Sequence, residues 1–208
     1  MLAVFLIAAL TFAITKSQDG SNTLATEKMT LAVNNFGSLG ADLRRAIEVI
    51  TRSGQSETTL SFAQSSLTGY GTPDANTATE VFNIAGGGAT YLPVPAGVNN
   101  GSQWEFYGFT RAPYVGDDAA PDLMLVLPNV NETFCRALNK RAGYAPNDVI
   151  PTDTATCLHD TTKRFAGSFA TGGDINAMTT NTFRQPATFA CVACAGPVYH
   201  AYYVLIER

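Results

Sequence analysis

Four cysteines (Cys135, Cys157, Cys191, Cys194) and two histidines (His159, His200) are the side chains of this 208-residue sequence best suited to redox, metal or acid–base chemistry. Cys191-Val192-Ala193-Cys194 has the spacing of a redox dithiol, and Cys157-Leu158-His159 would supply further zinc ligands. A redox pair opens a helix within a βαβ unit, whereas here Ala195-Gly196-Pro197 follows and makes a turn. Covalent haem attachment fails because Ala195 stands where the histidine is needed. An even number of cysteines, in a body expected outside the cytoplasm, reads instead as two structural disulfides. Three connectivities are open. The favoured pairing is Cys135–Cys157, tying an internal helix to the loop after it, with Cys191–Cys194 closing a tight turn. Long-range bridges from Cys135 and Cys157 to Cys191 and Cys194 are the alternative. A closed loop of about 20 residues adds about 3 kcal/mol in the chain-entropy model.

His200 lies in an apolar run and reads as a packed, hydrogen-bonded residue; His159, beside Asp160 in a polar stretch, reads as solvated. With no Gly-x-Ser-x-Gly elbow, a Ser/His/Asp triad would have to use one of these two. Asp117, Asp118 and Asp122 lack the glycine-spaced loop of an EF-hand and read as an acidic turn. Gly86-Gly87-Gly88 has neither the spacing nor the lysine of a phosphate loop. Asn100-Gly101-Ser102 and Asn131-Glu132-Thr133 match the N-glycosylation acceptor; Asn100 sits in a turn and is the candidate, whereas Asn131 reads as a helix cap. No catalytic residue, metal site or cofactor is expected, and the chain does not read as an enzyme.

At 46% hydrophobic and 14% charged, the chain is too apolar to be disordered. Its net charge of -4, with no basic block, excludes nucleic-acid binding through phosphate neutralisation. Most of the information lies at the N-terminus. Met1 to Thr15 carry no charge, and Lys16 is the first charged residue. A cleaved secretory signal would begin with a basic stretch, which is absent. A core helix apolar all round would need burial on every side. The remaining reading, a retained helix that sits in the membrane first and in a bundle of copies afterwards, is the expectation. Lys16 can snorkel and the helix can tilt to cover its short length.

Residues 17–22 are polar and contain Gly20, so a kink or unwound stretch is expected there. Met29, Val33, Phe36, Leu39, Leu43, Ile47 and Ile50 then recur at spacings of three and four, with Glu27, Lys28, Asn34, Asp42, Arg44, Arg45 and Glu48 on the other faces. Arg52 and Gly54 end the helix. Beyond it the period changes. Short β-type runs are expected at Thr58–Phe62, Thr79–Ile84, Thr90–Val94, Gln103–Arg111, Leu123–Leu127, Thr182–Ala190 and Val198–Glu207. One helix, capped by Asn131 and closed by Gly143, should place Phe134, Cys135 and Leu138 on an apolar stripe. The last run, apolar on both faces, should be a central strand.

The expected fold is therefore α+β: a long N-terminal α-helix, apolar in its first half and amphipathic in its second, packed on a C-terminal antiparallel β-sheet domain. Residues 1–54 form the helix, with 1–23 protruding, and residues 55–208 form the β-rich body. Met29, Val33, Phe36, Leu43, Ile47 and Ile50 would pack on one face of the sheet, the other being solvated. Leu2, Val4, Phe5, Leu6, Ile7, Leu10, Phe12 and Ile14 would project from the body. A protruding apolar rod must sit in lipid or pack against copies of itself, and a head-to-tail contact that does not close makes a helical filament.

This uncharged helix, its glycine-marked weak spot, its amphipathic continuation and the cysteine-bearing β-rich body resemble the type IV pilin and pseudopilin superfamily. Phe5 stands where typical members carry a glutamate, and the resemblance implies that residue 1 is the mature start, the family's basic leader having been removed. The resemblance implies an extracellular homopolymer built through N-terminal helices, held in the inner membrane as a transmembrane helix before assembly. Within the same superfamily a minor pseudopilin of a secretion system fits the pattern. Outside it, the alternative is a membrane-anchored domain binding a ligand with Trp104, Tyr107 and Tyr114.

Overall fold

The computed structural model describes the backbone of residues 2–116, 119–145, 148–153, 157–170, 176–178, 183–184, 186–194 and 196–208, and side chains from Ala25 onward apart from Asn176 and Ala177. The chain is an α+β fold in which a long N-terminal helix packs on an antiparallel sheet. Helix α1 (Leu2–Arg52) has 51 residues and is helical through 17–22, where the sequence favours unwinding. Four antiparallel strands follow: β1 (Glu105–Arg111), β2 (Asp122–Val130), β4 (Phe189–Ala193) and β5 (Tyr199–Ile206). A two-residue β3 (Asn176–Ala177) lies parallel beside β1, giving the order β3-β1-β2-β5-β4. Helix α2 (Glu132–Arg141) follows β2; the Asn131 side chain accepts from the Phe134 N–H at 2.8 Å and caps it.

The period-3.6 stripe of α1 is buried: Ala32, Val33, Phe36, Leu39, Leu43, Ala46, Ile47 and Ile50 join Phe106, Leu123, Leu125, Leu127, Ala201 and Leu205 of the sheet in one core, with Met29 packed at its margin. Gly40 is the point of closest approach. A Cβ there would lie 2.5–2.8 Å from the base of the Tyr203 ring, so only glycine lets α1 rest on β5 at this position. The sheet's other face is not solvated, contrary to expectation. Tyr107, Phe109, Met124, Val126, Ala190, Val192, Tyr202 and Val204 are covered by Tyr144, Leu158, Met178, Phe183 and Ala187, which belong to the long connection between α2 and β4. Burial on both faces explains why β2 and β5 read as unbroken apolar runs instead of alternating ones.

Three of the expected strands are absent. Residues 58–62 and 79–84 share only an isolated bridge, Ser61↔Glu80, and 90–94 is irregular. Of the expected run at 182–190, Phe189 and Ala190 lie in β4, and Thr182 and Gln185 are outside the described residues. These segments are apolar because they fill the space beside α1: Leu60, Phe62 and Val81 are buried in its core, and Tyr91 and Val94 pack against it. Packing into a gap selects the same residue types as a pleated sheet does.

The part of β1 that β3 leaves uncovered and the outer edge of β4 are closed by non-strand groups. On β1, the Phe106 N–H donates to Tyr70 Oη at 2.7 Å, and the Phe106 and Gly108 carbonyls accept from the Phe165 and Ala170 N–H groups. On β4, Asn139 of α2 takes both backbone groups of Cys191: its Oδ1 accepts from the Cys191 N–H at 2.7 Å and its Nδ2 donates to the Cys191 carbonyl at 2.9 Å. Ala193 pairs with Pro151 and Asp153.

Candidate functional site

The extended helix and a buried polar cluster are the two features that could carry function. Ala25, Thr26, Glu27 and Lys28 are exposed and Leu31 is 61% exposed, so among the described residues α1 enters the core only from Met29 onward. The packed stretch from Met29 to Ile50 takes about 30 Å of a helix about 77 Å long at 1.5 Å per residue. Where the packing begins, Thr30, Val33, Asn34, Ala137, Lys140 and Arg141 line a groove of about 440 Å³ between α1 and α2. The Arg141 guanidinium donates to the Asn34 side-chain oxygen across it. The side chains of Leu2, Val4, Phe5, Leu6, Ile7, Leu10, Phe12 and Ile14 lie outside the described residues. Among the described residues no helix is long and apolar enough to cross a membrane.

The polar cluster is centred on Glu105, which is 2% exposed on a strand that also carries Phe106, Tyr107 and Phe109. Its Oε1 accepts from Arg164 Nη2 at 3.0 Å, and its Oε2 accepts from His159 Nδ1 at 2.6 Å and from the Tyr107 hydroxyl. The Arg164 charge and three donated hydrogen bonds thus compensate a carboxylate that would otherwise be costly to bury. Burial, aided by the hydrogen bond to Glu105, raises Tyr107 above the usual phenol range; burial raises Tyr70 likewise. His159 is therefore not the solvated loop residue its neighbours suggested, but a tie between the covering connection and β1. A glutamate within Trp-Glu-Phe-Tyr was the one signal that could have revealed the cluster, because a charge among aromatics needs a partner. Asn139, one helical turn beyond Cys135 on the same face, carried a similar signal.

Cysteine pairing departs from the favoured reading. The bridges are Cys135–Cys191 and Cys157–Cys194, one of the long-range alternatives. Side chains alternate along a strand, so Cys191 faces α2 while Cys194, three positions on, faces the covering connection. They cannot meet in a tight turn. The sequence separations of 56 and 37 make each closure worth about 4 kcal/mol in the chain-entropy model.

Cys157, Cys194 and His200 bring two sulfurs and a ring nitrogen within 4.8 Å of one another, a donor set of the zinc type. Both sulfurs are committed to each other, however, and the Asn129 N–H donates to His200 Nδ1 at 3.1 Å, which puts the proton of the neutral ring on Nε2. As folded, the group offers neither a thiolate nor a free imidazole lone pair.

Burial, with His159 as the secondary cause, lowers His200 to about 4. The unfolded chain gains this proton near pH 6.5, the folded chain only near 4, so the contribution is complete above about pH 6.5 and is lost as pH falls towards 4, by up to about 1.4 kcal/mol per pH unit. His200→Asn, which retains an acceptor for Asn129, is expected to shrink the stability difference between about pH 7 and about pH 4.5 in urea unfolding. An unchanged difference would assign the acid sensitivity elsewhere.

The other candidates do not converge. Trp104 and Tyr107 are 3% and 0% exposed, on opposite faces of the sheet, and Tyr114 lies apart at 44%, so they line no common site. Asp117 and Asp118 lie outside the described residues, while Asp122 is fully buried and accepts from the Ala112 and Arg208 N–H groups. Asn100 is exposed in its turn, whereas Asn131 is occupied as the cap of α2. Set against known proteins, the chain matches no family model, no curated protein and no solved structure.

Proposed function

We propose that this chain is a structural subunit of an extracellular, pilus-like helical filament, joined to its copies through the N-terminal part of α1, and that it performs no catalysis. The supporting observation is the division of labour along one helix. Among the described residues the body is packed by the stretch from Met29 to Ile50, while residues 2–15 of the same helix contain no charged side chain. Each of Leu2, Val4, Phe5, Leu6, Ile7, Leu10, Phe12 and Ile14 gains about 1.5–3 kcal/mol when it leaves water. The inner membrane shelters them in the precursor and neighbouring subunits shelter them in the polymer. Phe5 in place of an acid makes the subunit contact wholly apolar at that position.

Leu6→Asp or Leu10→Asp in the full chain is expected to abolish fibres seen by electron microscopy while leaving the urea midpoint of the body unchanged. A charged residue at a helix centre in hydrocarbon costs about 2.5–3.5 kcal/mol, repeated at every subunit. Fibres of normal length from either variant would overturn the reading. Long uniform fibres from wild-type protein mark a major subunit, and their absence at high concentration marks a minor one.

A further inference from the structure

We propose that Asn100 is an N-glycan acceptor and that Asn131, in the second acceptor tripeptide, is not. Both tripeptides match the acceptor pattern; their side-chain amides are held differently in the fold. Asn131 Nδ2 donates to the Gly97 carbonyl at 2.6 Å while its Oδ1 caps α2, so a transferase can draw this amide into its site only by breaking both contacts. Asn100 is exposed, and its Oδ1 accepts from the Ser102 hydroxyl at 2.6 Å and the Ser102 N–H at 3.2 Å. Both of its described hydrogen bonds fall on the oxygen, and none is described on the nitrogen of this exposed side chain.

The turn itself is held rigidly. Asn99 Nδ2 donates to the Ser102 and Pro128 carbonyls, and Asn129 Nδ2 donates to Ser102 Oγ at 3.1 Å, so the single hydroxyl proton of Ser102 goes to Asn100. Gly101 has φ +96°, the backbone freedom that lets the tripeptide turn outward. Beside it lies a recess of about 270 Å³ lined by Tyr91, Val94, Pro95, Asn99, Gly101 and Ser102. An aromatic and two aliphatic side chains with hydroxyl and amide neighbours suit the first sugar ring of a neutral glycan.

The co-reactant is a lipid-pyrophosphate-linked oligosaccharide. Asn100 Nδ2 bonds to its anomeric carbon, the carbon–oxygen bond to pyrophosphate breaks with the electron pair leaving on the lipid pyrophosphate, and one amide proton passes to the transferase. The inference rests on the extracellular reading only for the place where chain and transferase meet, and its test does not require polymerisation.

Folded full-length protein in detergent is treated with an oligosaccharyltransferase that reads Asn-x-Ser/Thr and its lipid-linked donor, with a short Asn-Gly-Ser peptide in the same tube. The expected result is one glycan per chain by intact mass, mapped to the peptide containing Asn100. Asn100→Gln and Ser102→Ala abolish it, Ser102→Thr retains it, and Asn131→Gln leaves it unchanged. A glycosylated peptide beside an unmodified protein, or a glycan on Asn131, overturns the proposal.

Discussion

Glu105→Ala is expected to destabilise the protein by about 3–5 kcal/mol, a large part of the roughly 5–15 kcal/mol that holds a typical domain folded. The substitution removes the acceptor for Arg164, His159 and Tyr107 together. The larger cost is what remains. Arg164 keeps its charge with only 22% of its side chain exposed, and its Nε already has no hydrogen-bond partner. Glu105→Gln, which preserves shape but not charge, should lose less. Replacing Arg164 by methionine in the Glu105→Ala background should recover much of the loss, because an apolar pair tolerates burial better than half of an ion pair does. Urea midpoints for the two single variants and the double variant measure the coupling. A Glu105→Ala cost below about 1 kcal/mol would mean that water reaches the carboxylate and that the cluster does not anchor the covering connection.

Asn139→Ala should cost about 2–4 kcal/mol, through a different mechanism. Asn139 is 4% exposed and serves both backbone groups of Cys191, as another strand would. Removing its amide leaves an N–H and a carbonyl buried and unpaired, each costing about 1–3 kcal/mol. Asn139→Asp cannot rescue the loss, since a carboxylate meets the N–H but opposes the carbonyl. The Cys135–Cys191 bridge still holds α2 to β4, so the effect should appear as faster amide exchange along β4 as well as a lower urea midpoint. Unchanged exchange at Cys191 would show that the edge is protected by other groups.

Both residues expose the limit of reading periodicity. The stripe from Met29 to Ile50 and the runs that became β1, β2 and β5 were legible because each element repeats its own spacing, which depends only on local backbone geometry. The capped α2 was legible because Asn131 and Glu132 mark a helix start within a few residues. Residues 58–94 misled because side chains that plug a core gap have the same chemistry as strand residues; what separates them is a partner strand.

The sequence by itself determined a long helix, uncharged at one end and striped at the other, and strands apolar enough to be covered on both sides. Only the tertiary structure decided how the cysteines pair, since strand alternation turns Cys191 and Cys194 to opposite faces and brings each to a partner distant in the chain. It also decided that His159 would meet Glu105 across 54 residues, and that the Asn131 amide nitrogen would donate to the Gly97 carbonyl, 34 residues away. Hydrophobic spacing records which side of an element is buried; the identity of the group it meets depends on how distant elements are brought together, which no local spacing encodes.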